Sequence, residues 1–293
     1  MKNHHDHCDH DHDEPKSASL VERPSRAFQI SIVFNLLFVL IEFYYGYLSQ
    51  SLSLFGDALH NLGDVFALGL SWLGFYLARS QASEKLTFGF KKFSILAAFF
   101  NAAMLIGTSV FIIFEAYERF QNPQPQNSLI IMAVAAVGFV INMSTALLFH
   151  GGHKHDLNIK SAYIHLLGDA IVSLGVVVAG AIIYFKQWNL VDPIVSVVIA
   201  VFILGSTWGL FRESVVLMLN GVPQQVNFVK LSTFLESFAG VSKVEQLRVW
   251  AISTSEFAMT AKLHSTSQGI NRAQLEKLLE HDFNIKDVTI QIN

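Results

Sequence analysis

The stretch GDALHNLGDVFALGLSW (residues 56–72) sets Asp57, His60 and Asp64 into an otherwise apolar run, and HLLGDAIVSLGVVVAG (165–180) repeats the motif with His165 and Asp169. Residues four apart on a helix share a face, one turn from each other. His60 and Asp64 therefore point the same way, as do His165 and Asp169, with Asp57 on roughly the same face as His60. Two imidazole nitrogens and two carboxylate oxygens complete the four-coordinate shell that Zn²⁺ prefers. Mg²⁺ would demand more oxygens in octahedral array, and a soft Cu(I) site would call for Cys or Met. Two helices that each donate a two-residue clamp form a site able to open when they part. The alternative is that each His–Asp pair is a hydrogen bond that glues helices together. Two pairs of identical spacing in two different segments favour the metal site.

Other chemistry-bearing residues are scattered along the chain. Glu42 follows an apolar run, and with Asp57 it reads as a station on an entry path or a proton route rather than a direct ligand. Asn35, Asn101 and Asn142 lie inside apolar segments, where asparagine commonly cements helix contacts. The amino-terminal stretch interleaves His4, His5, His7, His10 and His12 with Cys8 and four aspartates, and HGGHKHD adds His150, His153 and His155. Such tracts capture divalent transition metals without a fold, or serve only as solvated tails. Near the carboxyl terminus, His264 ends a strand and is a candidate ligand by itself. His281, near a helix end, is a weaker one.

The elements that must carry these residues are long and apolar. The chain has 293 residues, 52% of them apolar and 15% charged, against about 25% charged in soluble domains. Six segments reach the roughly 20 residues needed to cross a bilayer, near 26–48, 52–78, 93–118, 128–149, 160–186 and 192–212. An ionisable group inside such a segment costs a few kcal/mol and persists where it pairs, lines a cavity or binds an ion. With a cytosolic amino terminus, the inner connections hold Arg23, Arg26, Arg79, Lys85, Lys91, Lys92, Lys154, Lys160 and Arg212, and the outer ends only Arg119 and Lys186. That asymmetry places both termini in the cytosol.

The start MKNHHDHCDHDHDEP is polar and acidic, the opposite of an export signal. One cysteine excludes an internal disulfide, and a net charge of −3 without a basic stripe speaks against nucleic acid. After residue 213 the pattern becomes helix, strand, strand, helix, strand. VNFVKLSTFLESF is helical, VSKVEQLRVWAI and EFAMTAKLH are strands, Asn271 caps a second helix, and DVTIQIN alternates as a strand. The expected architecture is thus a cytosolic tail (1–24), an all-α six-helix transmembrane domain (25–213) and a small cytosolic α+β domain of αββαβ, ferredoxin-like order (214–293).

In its linked motifs the chain resembles the cation diffusion facilitator family, in its zinc-transporting branch, from about residue 30 to the end. The matching elements are Glu42 and Gly46, then SLSLFGDALHNLGD, TFGFKKFSILAAFFNA, EAYERFQNP, DLNIKSAYIHLLGDA and VDPI, with V-x-x-L-x-V-W ending at Trp250 and VTIQ at 288–291. The resemblance implies a homodimer in a lipid bilayer, of the bacterial inner-membrane kind, exporting Zn²⁺, and also Cd²⁺ or Co²⁺, in exchange for protons. Zn²⁺ is then the cargo and no cofactor is called for. The family's transport site falls on His60, Asp64, His165 and Asp169, and its histidine-rich loop on the segment holding His150, His153 and His155. Relatives with a regulatory cytosolic site use histidine where this chain has Glu245 and, in many, Arg248, and can place His and an acidic residue at Gln291 and Asn293. His264 survives almost alone, so by resemblance this domain serves mainly to dimerise. The loop ARSQASEKLTFGF lacks the family's extra site between the second and third spans.

The chemistry agrees with exchange. Unperturbed histidine has a pKa of about 6.5, so it is largely neutral in the cytosol and free to ligate. Metal binding needs deprotonated ligands, so protons and metal compete for the same atoms. Two rival readings remain: an intramembrane metalloenzyme using the same ligands, which would require an open coordination position and a nearby general base, and a membrane-bound metal sensor, which would require strong ligands in 214–293.

Overall fold

The computed structural model describes residues 26–78, 83–149, 157–266 and 269–293. The histidine-rich tail (1–24) and His150, His153 and His155 lie outside the described residues. Six long helices come first: α1 (Arg26–Ser49), α2 (Leu52–Ala78), α3 (Phe93–Gln121), α4 (Ser128–Phe149), α5 (Leu157–Lys186) and α6 (Val191–Met218). Among the described residues, four stretches, Phe93–Gln121, Ser128–Leu147, Tyr163–Lys186 and Val191–Met218, are long and apolar enough to cross a membrane, so length and composition do not establish the expected count of six. Helix α4 packs along α5 and α3 along α6, while α2 is surrounded by α1, α3, α5 and α6.

The distribution of polarity is that of a helix bundle solvated by lipid. Leu40, Phe114, Val140, Ile171, Val198 and Phe202 point outward and are exposed, whereas Glu42, Asp57, Asn101, Asn142, Asp169 and Asp192 are buried among the helices. In hydrocarbon the polar groups must find partners inside the bundle. Tight approach helps: a Cβ added to Gly46 of α1 would stand 3.3 Å from the Phe55 nitrogen of α2, so the small residue lets the two backbones meet.

The ends of the bundle opposite the carboxyl-terminal unit are tied by Asp192, in the first turn of α6. Its buried carboxylate accepts hydrogen bonds from Ser51 Oγ (2.7 Å), Leu52 N (2.7 Å), Ser53 N (3.2 Å) and Ser53 Oγ, and from Gln126 Nε2 (2.9 Å). Arg119 Nη1 approaches to 4.0 Å. Ser51 also caps α2 by accepting from Leu54 N at 3.1 Å. An anion at a helix amino terminus meets both free N–H groups and the positive end of the dipole. Asp192 thereby fastens α6 to the start of α2.

The carboxyl-terminal unit has the expected order: α7 (Phe228–Ser237), β1 (Val241–Ala251), β2 (Phe257–Ser265), α8 (Arg272–Phe283) and β3 (Ile285–Ile292). In the three-stranded sheet β2 is central, antiparallel to β1 and parallel to β3, with Met259 opposite Val249 and Val288. Asn227 and Asn271 cap the two helices by accepting from Lys230 N and Gln274 N. Leu231 and Leu235 of α7 and Leu275 and Leu279 of α8 pack with Met259 and Leu263 of the sheet.

Several helices overrun the expected spans, α3 by three residues at its end, α5 by three at its start and α6 by the most. Helix α6 runs to Met218, beyond the expected end of the last span at 212, even though Arg212 and Glu213 interrupt its apolar run. It continues because Leu217, together with Ile95 from α3, is part of the carboxyl-terminal core. Lys91 Nζ bonds Glu256 at 2.7 Å and Ser94 Oγ accepts from Thr254 N at 3.2 Å, so the β1–β2 turn sits on the start of α3.

Candidate metal centre

Helices α2 and α5 run in opposite directions, so a step of four residues up one is a step down the other. Their polar residues meet in three rungs. Asp57 lies against Ser173, whose Oγ donates to Asp57 Oδ2 at 3.1 Å. His60 lies against Asp169, with Nε2 3.4 Å from Oδ1. Asp64 lies against His165, with Nε2 3.2 Å from Oδ2. The contacts within each helix are longer, 3.8 Å for His60–Asp64 and 3.7 Å for His165–Asp169.

These separations suit a small tetrahedral ion. With Zn–N and Zn–O bonds of about 2.0–2.1 Å, ligand atoms sit about 3.3 Å apart. Single ligand atoms of His60, Asp64 and Asp169 all fall within 4.8 Å of one another. His165 joins through the two carboxylates, and its ring centroid is 6.0 Å from that of His60, edge-on at 76°. The four side chains expected from spacing thus come together, but each imidazole is paired across the helices more closely than along its own.

Access is graded through the site. The Asp169 and His60 side chains are 8% and 11% exposed, Asp64 29% and His165 50%. The open level is therefore the Asp64–His165 rung, toward the end of the bundle that bears the αββαβ unit. The opposite end is sealed by the Asp192 cluster.

Beyond the closed side of the site, Glu42 and Asp57 are both 0% exposed. Asn61 Nδ2 donates to Glu42 Oε2 at 2.9 Å, and the two carboxyl groups are near enough to interact electrostatically. Glu42 Oε1, Asp57 Oδ1 and His60 Nδ1 are buried and have no hydrogen-bond partner among the described residues. Neither carboxylate forms an ion pair with His60 or His165 among the described residues. Asn101 and Asn142 are buried in α3 and α4, as the cementing role anticipates, but Asn101 Oδ1 and Asn142 Nδ2 have no hydrogen-bond partner among the described residues.

In the αββαβ unit, His264 Nε2 is 3.6 Å from Glu245, across the β1–β2 ladder and well exposed. Among the described residues, His281 pairs with its neighbour Asp282 alone. The sequence reading did not single out Gln126 or Ser173, and Ser51, Ser53, Asn61 and Asp192 entered it only within the motifs SLSLFGDALHNLGD and VDPI. Their roles depend on partners far along the chain, which spacing does not reveal.

Comparison with known proteins bears on the whole chain. Residues 28–219 match the cation efflux transmembrane domain, and residues 223–293 match the cation efflux protein, cytoplasmic domain. The cation efflux system protein CzcD of Alcaligenes sp. (strain CT14) is 31% identical over 287 residues, covering 96% of this chain and 89% of that protein. The cadmium, cobalt and zinc/H(+)-K(+) antiporter of Bacillus subtilis (strain 168) is 33% identical over 272 residues, covering 90% and 87%. The zinc transporter ZitB of Escherichia coli (strain K12) is 33% identical over 261 residues, covering 87% and 83%. With its helical membrane domain, its small three-stranded cytoplasmic domain and a buried His–Asp–Asp group between two helices, this chain belongs to the cation efflux family.

Proposed function

We propose that the chain exports Zn²⁺, and with it Cd²⁺ or Co²⁺, from the cytoplasm in exchange for protons, binding the metal between α2 and α5 on His60, Asp64, His165 and Asp169. The observation that carries this reading is the quartet of His–Asp separations between 3.2 and 3.8 Å in the middle of an apolar helix pair. Six helices cross the membrane (25–213), the tail (1–24) and the αββαβ domain (214–293) lie in the cytosol, and the membrane is a bacterial inner membrane. Two copies pair through the carboxyl-terminal domain, the part of the family whose matched description is cytoplasmic. His150, His153 and His155 gather metal at the cytosolic mouth. The protein is a carrier rather than an enzyme, and the metal is its cargo.

The mechanism follows from ligand chemistry. Neutral imidazoles and ionised carboxylates take Zn²⁺ from the cytosolic side through the Asp64–His165 rung. Helices α2 and α5 then shift so that the His60–Asp169 rung opens outward and the Asp192 fastening loosens. Protons from a more acidic exterior occupy the ligands and displace the metal. Moving Zn²⁺ outward against about 100 mV costs about 4.6 kcal/mol, at roughly 2.3 kcal/mol per charge. One entering proton returns about 2.3 kcal/mol electrically plus about 1.4 kcal/mol per pH unit. Two protons make the exchange electroneutral.

The reading is tested by reconstituting the chain into liposomes that trap a pH-sensitive dye and adding Zn²⁺ outside. Zinc entry accompanied by proton exit is the expected result. Zinc binding without any movement of metal or protons would replace the carrier with a sensor.

A further inference from the structure

We propose that Glu42 and Asp57 form a proton-holding carboxyl pair, distinct from the metal ligands and placed on the far side of the metal site from the cytosol. The inference rests on the antiport reading and adds to it a second seat for the counter-ion.

The position of the pair follows from the rungs between antiparallel helices. Asp57 is one turn before His60 on α2 and meets Ser173, one turn past Asp169 on α5. Glu42 reaches the same level from α1 and is anchored by Asn61. From the open end inward, the order is Asp64–His165, His60–Asp169, then Glu42–Asp57. A proton arriving from outside meets this pair before it meets the metal ligands.

The chemistry of the pair follows from its surroundings. Both carboxyl groups are completely buried, they are neighbours across α1 and α2, and each keeps one oxygen without a hydrogen-bond partner among the described residues. The donors that reach them, an asparagine amide and a serine hydroxyl, are neutral. Two neighbouring ionised carboxylates in a sealed, low-dielectric site repel and forgo hydration. One shared proton turns the pair into an acid–carboxylate hydrogen bond and occupies an oxygen that otherwise has no partner.

Among the described residues, the nearest cationic group is the imidazole of His60, one turn away on α2, which the proposed function assigns to metal. Helix α4, packed against α1, contains no titratable residue. The titratable residues of α2 and α5 nearest the pair are His60, Asp64, His165 and Asp169, all assigned to metal, while Tyr76, Lys160, Tyr163, Tyr184 and Lys186 lie further along these helices. On α3 the charged groups Glu115, Glu118 and Arg119 lie near the outer end, and on α6 Asp192 is satisfied at that end while Arg212 and Glu213 lie toward the other. The pair thus has a proton as its natural cation.

Coupling needs no direct contact with the metal. Zn²⁺ arriving one turn away favours the ionised pair, and its departure favours the protonated one. The proton is taken up from the outer side as metal leaves and is released toward the cytosol as the next metal binds. Proton and cation exchange one for one at this seat, and the ligands account for any further proton.

The test uses the full-length protein in detergent and in liposomes, as the native chain and as Glu42→Gln and Asp57→Asn. Proton release on Zn²⁺ addition is read in weakly buffered solution, alongside zinc affinity. Zinc-for-zinc exchange at equal pH and zinc flux driven by a pH gradient are read in liposomes. Both variants are expected to release about one proton fewer per zinc, with affinity changed less than tenfold and zinc-for-zinc exchange within twofold of native, while gradient-driven flux falls at least tenfold. The infrared carbonyl band of a protonated carboxylic acid is expected in the native metal-free protein and to be lost in Glu42→Gln.

Unchanged proton release and unchanged gradient-driven flux in both variants would overturn the proton seat. Loss of zinc affinity and of zinc-for-zinc exchange in both variants would make the pair part of the metal site and overturn it as well. Flux that depends on an alkali cation, with native proton release in the variants, would replace the proton by that ion. An absence of zinc movement in the native chain would instead sink the antiport reading itself, and the carbonyl band would still report on the pair.

Discussion

His165 Nε2 stands 3.2 Å from Asp64 across the helix pair, closer than the 3.7 Å to Asp169 one turn along its own helix. The counterpart contact, His60 to Asp169, is also the shorter one for its imidazole. The two helices therefore share the site in both directions, and neither carries a complete half of it. Parting α2 from α5 breaks both short pairs at once, so on the proposed function metal binding and helix position are linked through the same atoms.

Removing one ligand should weaken metal binding severely. Four-ligand zinc sites bind with about 10–16 kcal/mol, so one ligand in four carries roughly 2.5–4 kcal/mol, which is about a hundredfold or more in affinity. Asp64→Ala is expected to lose at least that factor in zinc titration of the purified chain. A protein lacking residues 1–24 keeps the histidine-rich tail from masking the loss. Native affinity in Asp64→Ala would remove that carboxylate from the site.

The Asp192 fastening should matter for stability and for the closed end. Its carboxylate takes five hydrogen bonds in a fully buried position. Asp192→Ala leaves the α2 amino terminus with unpaired donors, which costs about 3–5 kcal/mol. A lower unfolding temperature in detergent is the expected result, and Asp192→Asn should recover part of it.

The turn at Gly240 admits no side chain. Its φ is +89°, and an added Cβ would lie 2.0 Å from the carbonyl oxygen of Gly269. Left-handed backbone alone costs an ordinary residue about 1–2 kcal/mol, and the clash adds to it. Gly240→Ala should destabilise the cytoplasmic domain by more than about 2 kcal/mol, read as earlier proteolysis of that domain in the intact protein.

The histidine of the cytoplasmic domain is expected to be dispensable. His264 is exposed and faces a single carboxylate, Glu245, at 3.6 Å. An exposed pair of this kind contributes about 0–1 kcal/mol. His264→Ala should leave both zinc flux and dimer stability within twofold of native, measured by transport and by dissociation on dilution.

Local chemistry was legible in the sequence and long-range pairing was not. The two HxxxD spacings pick out the four side chains that meet between α2 and α5, because a helix brings positions four apart to one face. The caps at Asn227 and Asn271 and the αββαβ order were equally readable, since each depends on neighbours in the chain. The crossed pairing of His60 with Asp169 depends on the antiparallel packing of α2 and α5, which no periodicity encodes. Asp192 is a single acidic residue at a helix start, and nothing local reveals that Ser51 and Ser53, some 140 positions earlier, fold onto it. The extension of α6 to Met218 escaped for the same reason: Leu217 is held by the core of the next domain.

Zinc flux into liposomes under an imposed pH gradient, for the native chain and for Asp169→Ala, tests the central claim most directly. Asp169 is the buried carboxylate that lies between both imidazoles, at 3.4 and 3.7 Å. Gradient-driven flux in the native chain and its loss in a folded Asp169→Ala protein is the outcome the four-residue site requires. Native flux in that variant would place the transported metal elsewhere in the bundle.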